Sequence, residues 1–132
     1  MPKKTIDKSL LSYILAENDH QKWGLASLAI KYKLFIYGWS LMSYLEDIRI
    51  SDNHLDYEIS MCFYDEKPVA VCVLERDSGM IMFFTRKLYR QNGIAKTLYE
   101  ITREKYNKNV FGSQYCRDEG INFFNKIGLE IQ

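Results

Sequence analysis

Arg90-Gln91-Asn92-Gly93-Ile94-Ala95-Lys96-Thr97-Leu98-Tyr99 places a glycine turn between an apolar strand and an amphipathic helix. Upstream, Met80-Ile81-Met82-Phe83-Phe84 is a short β-prone run. Downstream, Ile94, Leu98 and Ile101 recur at helical spacing, as do Ala95, Tyr99 and Thr102. The first turn of such a helix has backbone N–H groups without partners, and the helix dipole adds partial positive charge there. A phosphate in this crook is therefore held mainly by main chain. Gly93 tolerates φ > 0 and lets an anion approach the backbone.

Outward from this turn, the pattern predicts one α/β domain over residues 1–132, with a helical part over 1–50. Ile6, Leu10, Leu11, Ile14 and Leu15 are spaced for a first helix, with Thr5 or Asp7 as cap and Asn18-Asp19-His20 as its end. Trp23 to Ile50 reads as mostly helix with a boundary near Gly38. Asp52-Asn53-His54 is a turn, after which Tyr57, Ile59, Met61 and Phe63 alternate with Glu58, Ser60, Cys62 and Tyr64 as in a strand. Asp65-Glu66-Lys67-Pro68 closes a hairpin onto Val69–Leu74, which is apolar on both faces and so predicts a central strand buried from both sides. Beyond the long helix, Val110–Cys116 reads as a strand, Asp118 to Lys126 as a helix ending at Gly128, and Leu129–Gln132 has room for one short strand at most. That order predicts a mixed, mostly antiparallel sheet with helices on both faces and shortened C-terminal strands.

Composition narrows the class. With 132 residues, 47% hydrophobic and 27% charged, the chain has enough apolar surface for a real core. No apolar stretch approaches the roughly 20 residues that span a bilayer, and the Met-Pro-Lys-Lys start lacks a signal-peptide run, which predicts a cytoplasmic protein with no membrane partner. Cys62, Cys72 and Cys116 are odd in number, lack metal-ligand spacing and fall in apolar segments, which predicts buried free thiols in a reducing compartment. His20 and His54 are isolated, so no metal site is expected. The net charge of +1 hides a split: residues 1–82 carry nine Lys/Arg against twelve Asp/Glu, and residues 83–132 carry nine against five. The basic half holds the phosphate-loop candidate; the acidic half suits a cationic substrate, or is simply unevenly solvated surface.

Residues 90–95 fit Arg/Gln-x-x-Gly-x-Gly/Ala between a strand and a helix, and they resemble the coenzyme A pyrophosphate loop of the GNAT superfamily of acyl-CoA-dependent N-acyltransferases. In that family the preceding window often reads Val-x-Pro-x-Tyr-Arg; Tyr89 and Arg90 match, while Thr85 and Lys87 stand for Val and Pro. A second window, Arg117 to Leu129, is similar to the family's Asn-x-x-Ala-x-x-Phe-Tyr-x-Lys-x-Gly-Phe through Phe123, Lys126 and Gly128. The resemblance covers residues 57–129. It implies a GNAT-like fold and transfer of an acetyl group from acetyl-CoA directly to an amine acceptor, a protein or a small molecule. It also implies that Arg90, Gln91, Asn92, Gly93, Ile94, Ala95 and Lys96 hold the cofactor's pyrophosphate, while the backbone of Phe83, Phe84 and Thr85 pairs with its amide-bearing arm.

Acyl transfer to an amine needs a neutral nitrogen, although a free lysine-type amine with pKa near 10.4 is mostly protonated at neutral pH. A carboxylate or water relay must take that proton. Glu75, just past the buried strand, is the preferred candidate and Glu58 the other; the bland reading of Glu75 is a solvated charge paired with Arg76 or Lys87. Phe124 stands where the family often has the tyrosine that protonates the departing thiolate, and Tyr115 is the candidate replacement, or else a packed strand aromatic. The aromatic cluster of Trp23, Tyr32, Phe35, Tyr37, Trp39 and Tyr44 is most simply core packing, with an acceptor pocket or partner interface as the alternative. The short C-terminus implies an open acceptor side, or a homodimer completing the sheet edge. Two rival readings remain. A GNAT-fold binding protein without catalysis is supported by Phe124 and the short end; a nucleic-acid-binding or -modifying protein is supported only by the basic second half, which a cofactor phosphate explains more economically.

Overall fold

A computed structural model describes residues 5–35, 39–50, 56–106, 109–112, 123, 125–128 and 130–131. Its elements are β1 (Leu11–Leu15), α1 (Asp19–Lys31), α2 (Trp39–Ile50), β2 (Tyr57–Tyr64), β3 (Lys67–Glu75), β4 (Met80–Thr85), α3 (Ile94–Lys105), β5 (Phe111–Gly112) and β6 (Glu130–Ile131). The strands form one sheet in the order β1-β2-β3-β4-β5-β6, with β1 to β4 antiparallel and β5 parallel to both β4 and β6. This is the mixed, mostly antiparallel sheet that the pattern predicts. The expected turn at 52–54 and the boundary at Gly38 lie outside the described residues.

The first element corrects the sequence reading. Ile6 to Leu15 is not a helix: Asp7 caps a single 3-10 turn, Lys8–Leu10, and the chain then extends as β1 against β2. Leu11, Tyr13 and Leu15 are half-buried while Ser12 and Ile14 are exposed, a period of two that paired apolar positions had concealed. Tertiary pairing decides it, because without β1 the buried strand β2 would have one unsatisfied edge. Asn18 likewise starts a helix instead of ending one, its side chain accepting the Gln21 N–H at 2.8 Å.

The central hairpin follows the expected alternation. Asp65 and Glu66 have φ of 49° and 70°, the paired left-handed residues of a tight two-residue turn. Pro68 cannot donate to the ladder, and a bulge between Cys62 and Phe63 absorbs it. From β3, Val71 and Val73 pack under α1 and α2, while Ala70, Cys72 and Leu74 pack under α3. Ile94, Leu98 and Thr102 present the buried stripe of α3, and the Thr102 hydroxyl shares a 2.7 Å hydrogen bond with Ser60. Leu98 is fully buried, a burial that contributes about 2 kcal/mol. Gly79 is needed where β4 begins: φ is +81°, and a Cβ would meet the Asn109 carbonyl oxygen at 2.4 Å.

Cys62 and Cys72 are free and buried, their thiols pushed up to about 11 and about 12 by desolvation. They fall on one face but not opposite each other, since Cys62 pairs with Ala70 and Cys72 with Ser60. Among the described residues no helix is long and apolar enough to cross a membrane.

Candidate active site

β4 leads from one candidate centre to another. At its C-terminal end Thr85 passes through a 3-10 turn, Lys87–Tyr89, into the glycine turn and α3. Gln91 has φ of 63° and Gly93 φ of 79°, so two left-handed residues flank Asn92. The Asn92 side-chain amide donates to the carbonyls of Tyr89 and Arg90, each at 3.0 Å, and the Arg90 Nε donates to the Thr85 carbonyl at 3.0 Å. These bonds occupy the carbonyl oxygens of Thr85, Tyr89 and Arg90. Gly93, as N-cap, supplies no side chain to the first N–H groups of α3, and the space where its Cβ would project is open. A pyrophosphate fits that cradle: amides uncapped by side chain, an open approach, and the exposed Lys87 and Lys96 nearby in sequence. Ile94 is buried in the core and anchors the helix, so it contributes only main chain.

Strand alternation sorts the next three residues. The Arg86 N–H bonds back to Val69 of β3, whereas Gly79 accepts from Phe111 on the β5 side. Residues of one parity therefore face β3 with their backbone groups, and the others face β5. Phe83 and Thr85 turn theirs to the β5 side, where Arg90 already takes the Thr85 carbonyl; Phe84 turns its own to Val71. The Phe83 ring lies between Tyr99 and Phe123, in edge contact with Phe123 at 5.2 Å. The Phe84 ring packs on the other face, under α1 and α2.

At the opposite end of β4, Glu75 closes β3. It does not pair with Arg76 or Lys87: it accepts the Ser78 hydroxyl at 2.5 Å and lies against the Tyr44 hydroxyl. Tyr44 also donates to the Met80 sulfur at 3.7 Å, and burial together with the Glu75 carboxylate pushes its pKa up to about 12. Arg76 instead serves Glu58. That carboxylate is 2% exposed and is approached by Arg76 at 2.5 Å, Lys105 at 3.4 Å and Lys22 at 3.9 Å. Three cations make Glu58 a structural tie between α1, β2, β3 and α3, and burial lowers the pKa of Lys22. Tyr115, Cys116, Arg117 and Phe124 lie outside the described residues.

The sequence pattern missed Tyr44 and Tyr57 as neighbours of Glu75. Their rings meet at 5.3 Å, and the Tyr57 hydroxyl donates to Asp47 at 2.7 Å. The hairpin register sets Tyr57 opposite Glu75, whereas nothing local signals Tyr44, because α2 reaches the strand ends only through packing. Trp23 departs from the expected core cluster, being 46% exposed.

No protein-family model matches the sequence, and no curated protein matches it. Solved structures do match. A ribosomal-protein-alanine N-acetyltransferase from Brucella melitensis biovar Abortus 2308 aligns with a TM-score of 0.57 at 17% identity, over 89% of this chain and 90% of that one. A predicted acetyltransferase from Clostridium acetobutylicum, solved with acetyl-CoA, gives 0.58 at 12% over 91% and 90%. Glucosamine-6-phosphate N-acetyltransferase from Arabidopsis thaliana gives 0.54 at 17% over 92% and 93%. This is the GNAT fold. Within the GNAT fold, the loop at 90–96 is the strand-to-helix turn that the resemblance singles out, and Glu75 stands at the far end of the same strand.

Proposed function

We propose that the chain is an N-acetyltransferase that moves an acetyl group from acetyl-CoA to an amine. The observation that carries this is the preorganised loop: Gly93 in the left-handed region at the start of α3, with Asn92 and Arg90 holding the neighbouring carbonyls inward, within a GNAT fold. Arg90 to Lys96 would hold the pyrophosphate through main-chain amides. The Phe83 backbone, on the β5 side, would bond the amide-bearing arm. Bound acetyl-CoA would supply an activated acetyl thioester.

The chain's own residues supply the rest. About five residues of extended strand, roughly 17 Å, separate Thr85 from the Glu75 end, so loop and carboxylate suit the two ends of an elongated cofactor. Glu75, ordered by Ser78 and Tyr44 and without a cation partner among the described residues, takes the proton that makes the amine nucleophilic. Tyr115 is the proposed proton donor to the departing thiolate. A protein or small-molecule acceptor and a second copy completing the sheet beside β6 belong to the same proposal.

Native mass spectrometry with and without acetyl-CoA, followed by thiol release on an amine panel, tests it. The expected result is one bound acetyl-CoA and amine-dependent free thiol. No binding at high micromolar acetyl-CoA overturns the proposal, and binding without thiol release on any amine leaves a coenzyme A-binding protein.

A further inference from the structure

The buried stripe of α3 is Ile94, Leu98 and Thr102, so its third member is a hydroxyl where an apolar side chain would pack as well. Thr102 and Ser60 of β2 are both fully buried, and their hydroxyls meet at 2.7 Å within the apolar layer between α3 and the sheet. Hydroxyls cost free energy to bury, and a bond between two of them returns little net stability compared with apolar groups of the same shape. What the pair adds is position. Apolar contacts are non-directional and let a helix settle at several places along a sheet, whereas a hydrogen bond holds its length and angle within narrow limits.

The cradle is built where two separately held pieces meet. Arg90 ties the loop to β4 through the Thr85 carbonyl at 3.0 Å, and Thr102 ties α3 to β2, about 12 Å along the helix from Ile94. Thr97, in the first turn, donates its hydroxyl to the Gly93 carbonyl at 2.9 Å, a bond that stays within the helix and its cap. Lys105 reaches the Ala16 carbonyl at 3.2 Å and Glu58 at 3.4 Å, but its long side chain is 35% exposed and can follow a helix that shifts. We infer that Thr102 is a positioning residue for the cofactor: through Ser60 it sets α3 along the sheet, and so fixes where the first-turn amides face the loop. This rests on the acyltransferase reading and adds to it a residue far from the cradle that governs the cradle's shape.

The test uses the full chain. Thr102→Val and the double variant Ser60→Ala/Thr102→Val are compared with the parent by urea unfolding, by calorimetry with acetyl-CoA and by amide NMR without it. Thr102→Val leaves Ser60 unpaired and should lower stability, whereas the double variant leaves neither hydroxyl unpaired and should recover most of that loss. Affinity should not recover with it: acetyl-CoA should bind about 5- to 10-fold more weakly to both variants, the effect of a displacement of under about 1 Å. The KM for acetyl-CoA should rise with kcat unchanged, because the amides hold the cofactor equally before and during transfer. Thr102→Ser keeps the hydroxyl and should bind within about twofold of the parent. A double variant that regains stability and affinity together would overturn the inference and leave the acyltransferase standing. So would amide signals of residues 94–97 that do not move when both hydroxyls are lost. Signals of 94–97 that do move, in a chain that binds no acetyl-CoA, would uphold the tie and sink the acyltransferase.

Discussion

The two ends of β4 are built by opposite means. At the loop end the proposed cofactor-binding groups are backbone amides arranged by ten consecutive residues, and the side chains mainly hold carbonyls and helix in place. At the other end the groups are side chains drawn from α2, β2 and β3, and no two of Tyr44, Tyr57 and Glu75 are closer than 13 positions apart in sequence. A main-chain site is a local property of the chain. A side-chain site is a property of packing.

Glu58 and Glu75 sharpen the contrast, because both sit at strand ends on adjacent rungs of the β2–β3 ladder and yet face different company. Replacing Glu75 by Gln should cost the most function, about 10²- to 10⁴-fold in turnover as expected for loss of a positioned proton acceptor. Its unfolding free energy should stay within about 0.5 kcal/mol of the parent in urea titrations. Activity unaffected by this change would remove Glu75 from the mechanism.

Glu58→Ala should do the reverse. It strands Lys22, Arg76 and Lys105, and a cost of about 3 kcal/mol is expected, at the low end for buried pairs because Arg76 and Lys105 are each a third or more exposed. Unchanged urea midpoints would mean that the cations find water without it.

At the loop end, Gly93→Val should weaken acetyl-CoA binding by about 5- to 30-fold in calorimetry. The open space spares it a clash, but a left-handed β-branched residue costs about 1–2 kcal/mol. If affinity is unchanged, the cradle is not where the pyrophosphate sits.

The smallest effect concerns pH. Tyr44 titrates at about 12 in the fold and near 10 when unfolded, and Tyr57 is shifted in the same direction by burial and Asp47. Above pH 10 the unfolded chain therefore binds fewer protons than the folded one, and stability falls as pH rises towards 12. Lys22 works against this: its lowered pKa makes its contribution rise with pH up to about 10.5, where the unfolded side chain also loses its proton. Tyr44→Phe should flatten the alkaline loss in thermal melts between pH 10 and 12, and an identical slope would place the phenol in water.

Much of the fold was legible in the chain. β2, β3, β4 and α3 were read close to their observed bounds because their periodicities are long and their turns carry glycine, proline or paired acidic residues. β1 was not, since five residues with doubled apolar positions satisfy a helical stripe as well as a strand. Asn18 was misjudged for a related reason: the same residue type ends one helix and begins another, and only its bond to Gln21 tells which.

The sequence by itself determined the strand, glycine turn and helix N-terminus of the proposed phosphate cradle, because these are set by neighbours along the chain and need no distant partner. It also set which strand is central, through apolarity on both faces. Tertiary structure alone decided how the two carboxylates differ, since the cations around Glu58 come from three other elements and the tyrosine beside Glu75 comes from a helix about thirty positions earlier. Which charges and hydroxyls a carboxylate meets depends on what packs within a few ångströms, and that packing is fixed by the fold.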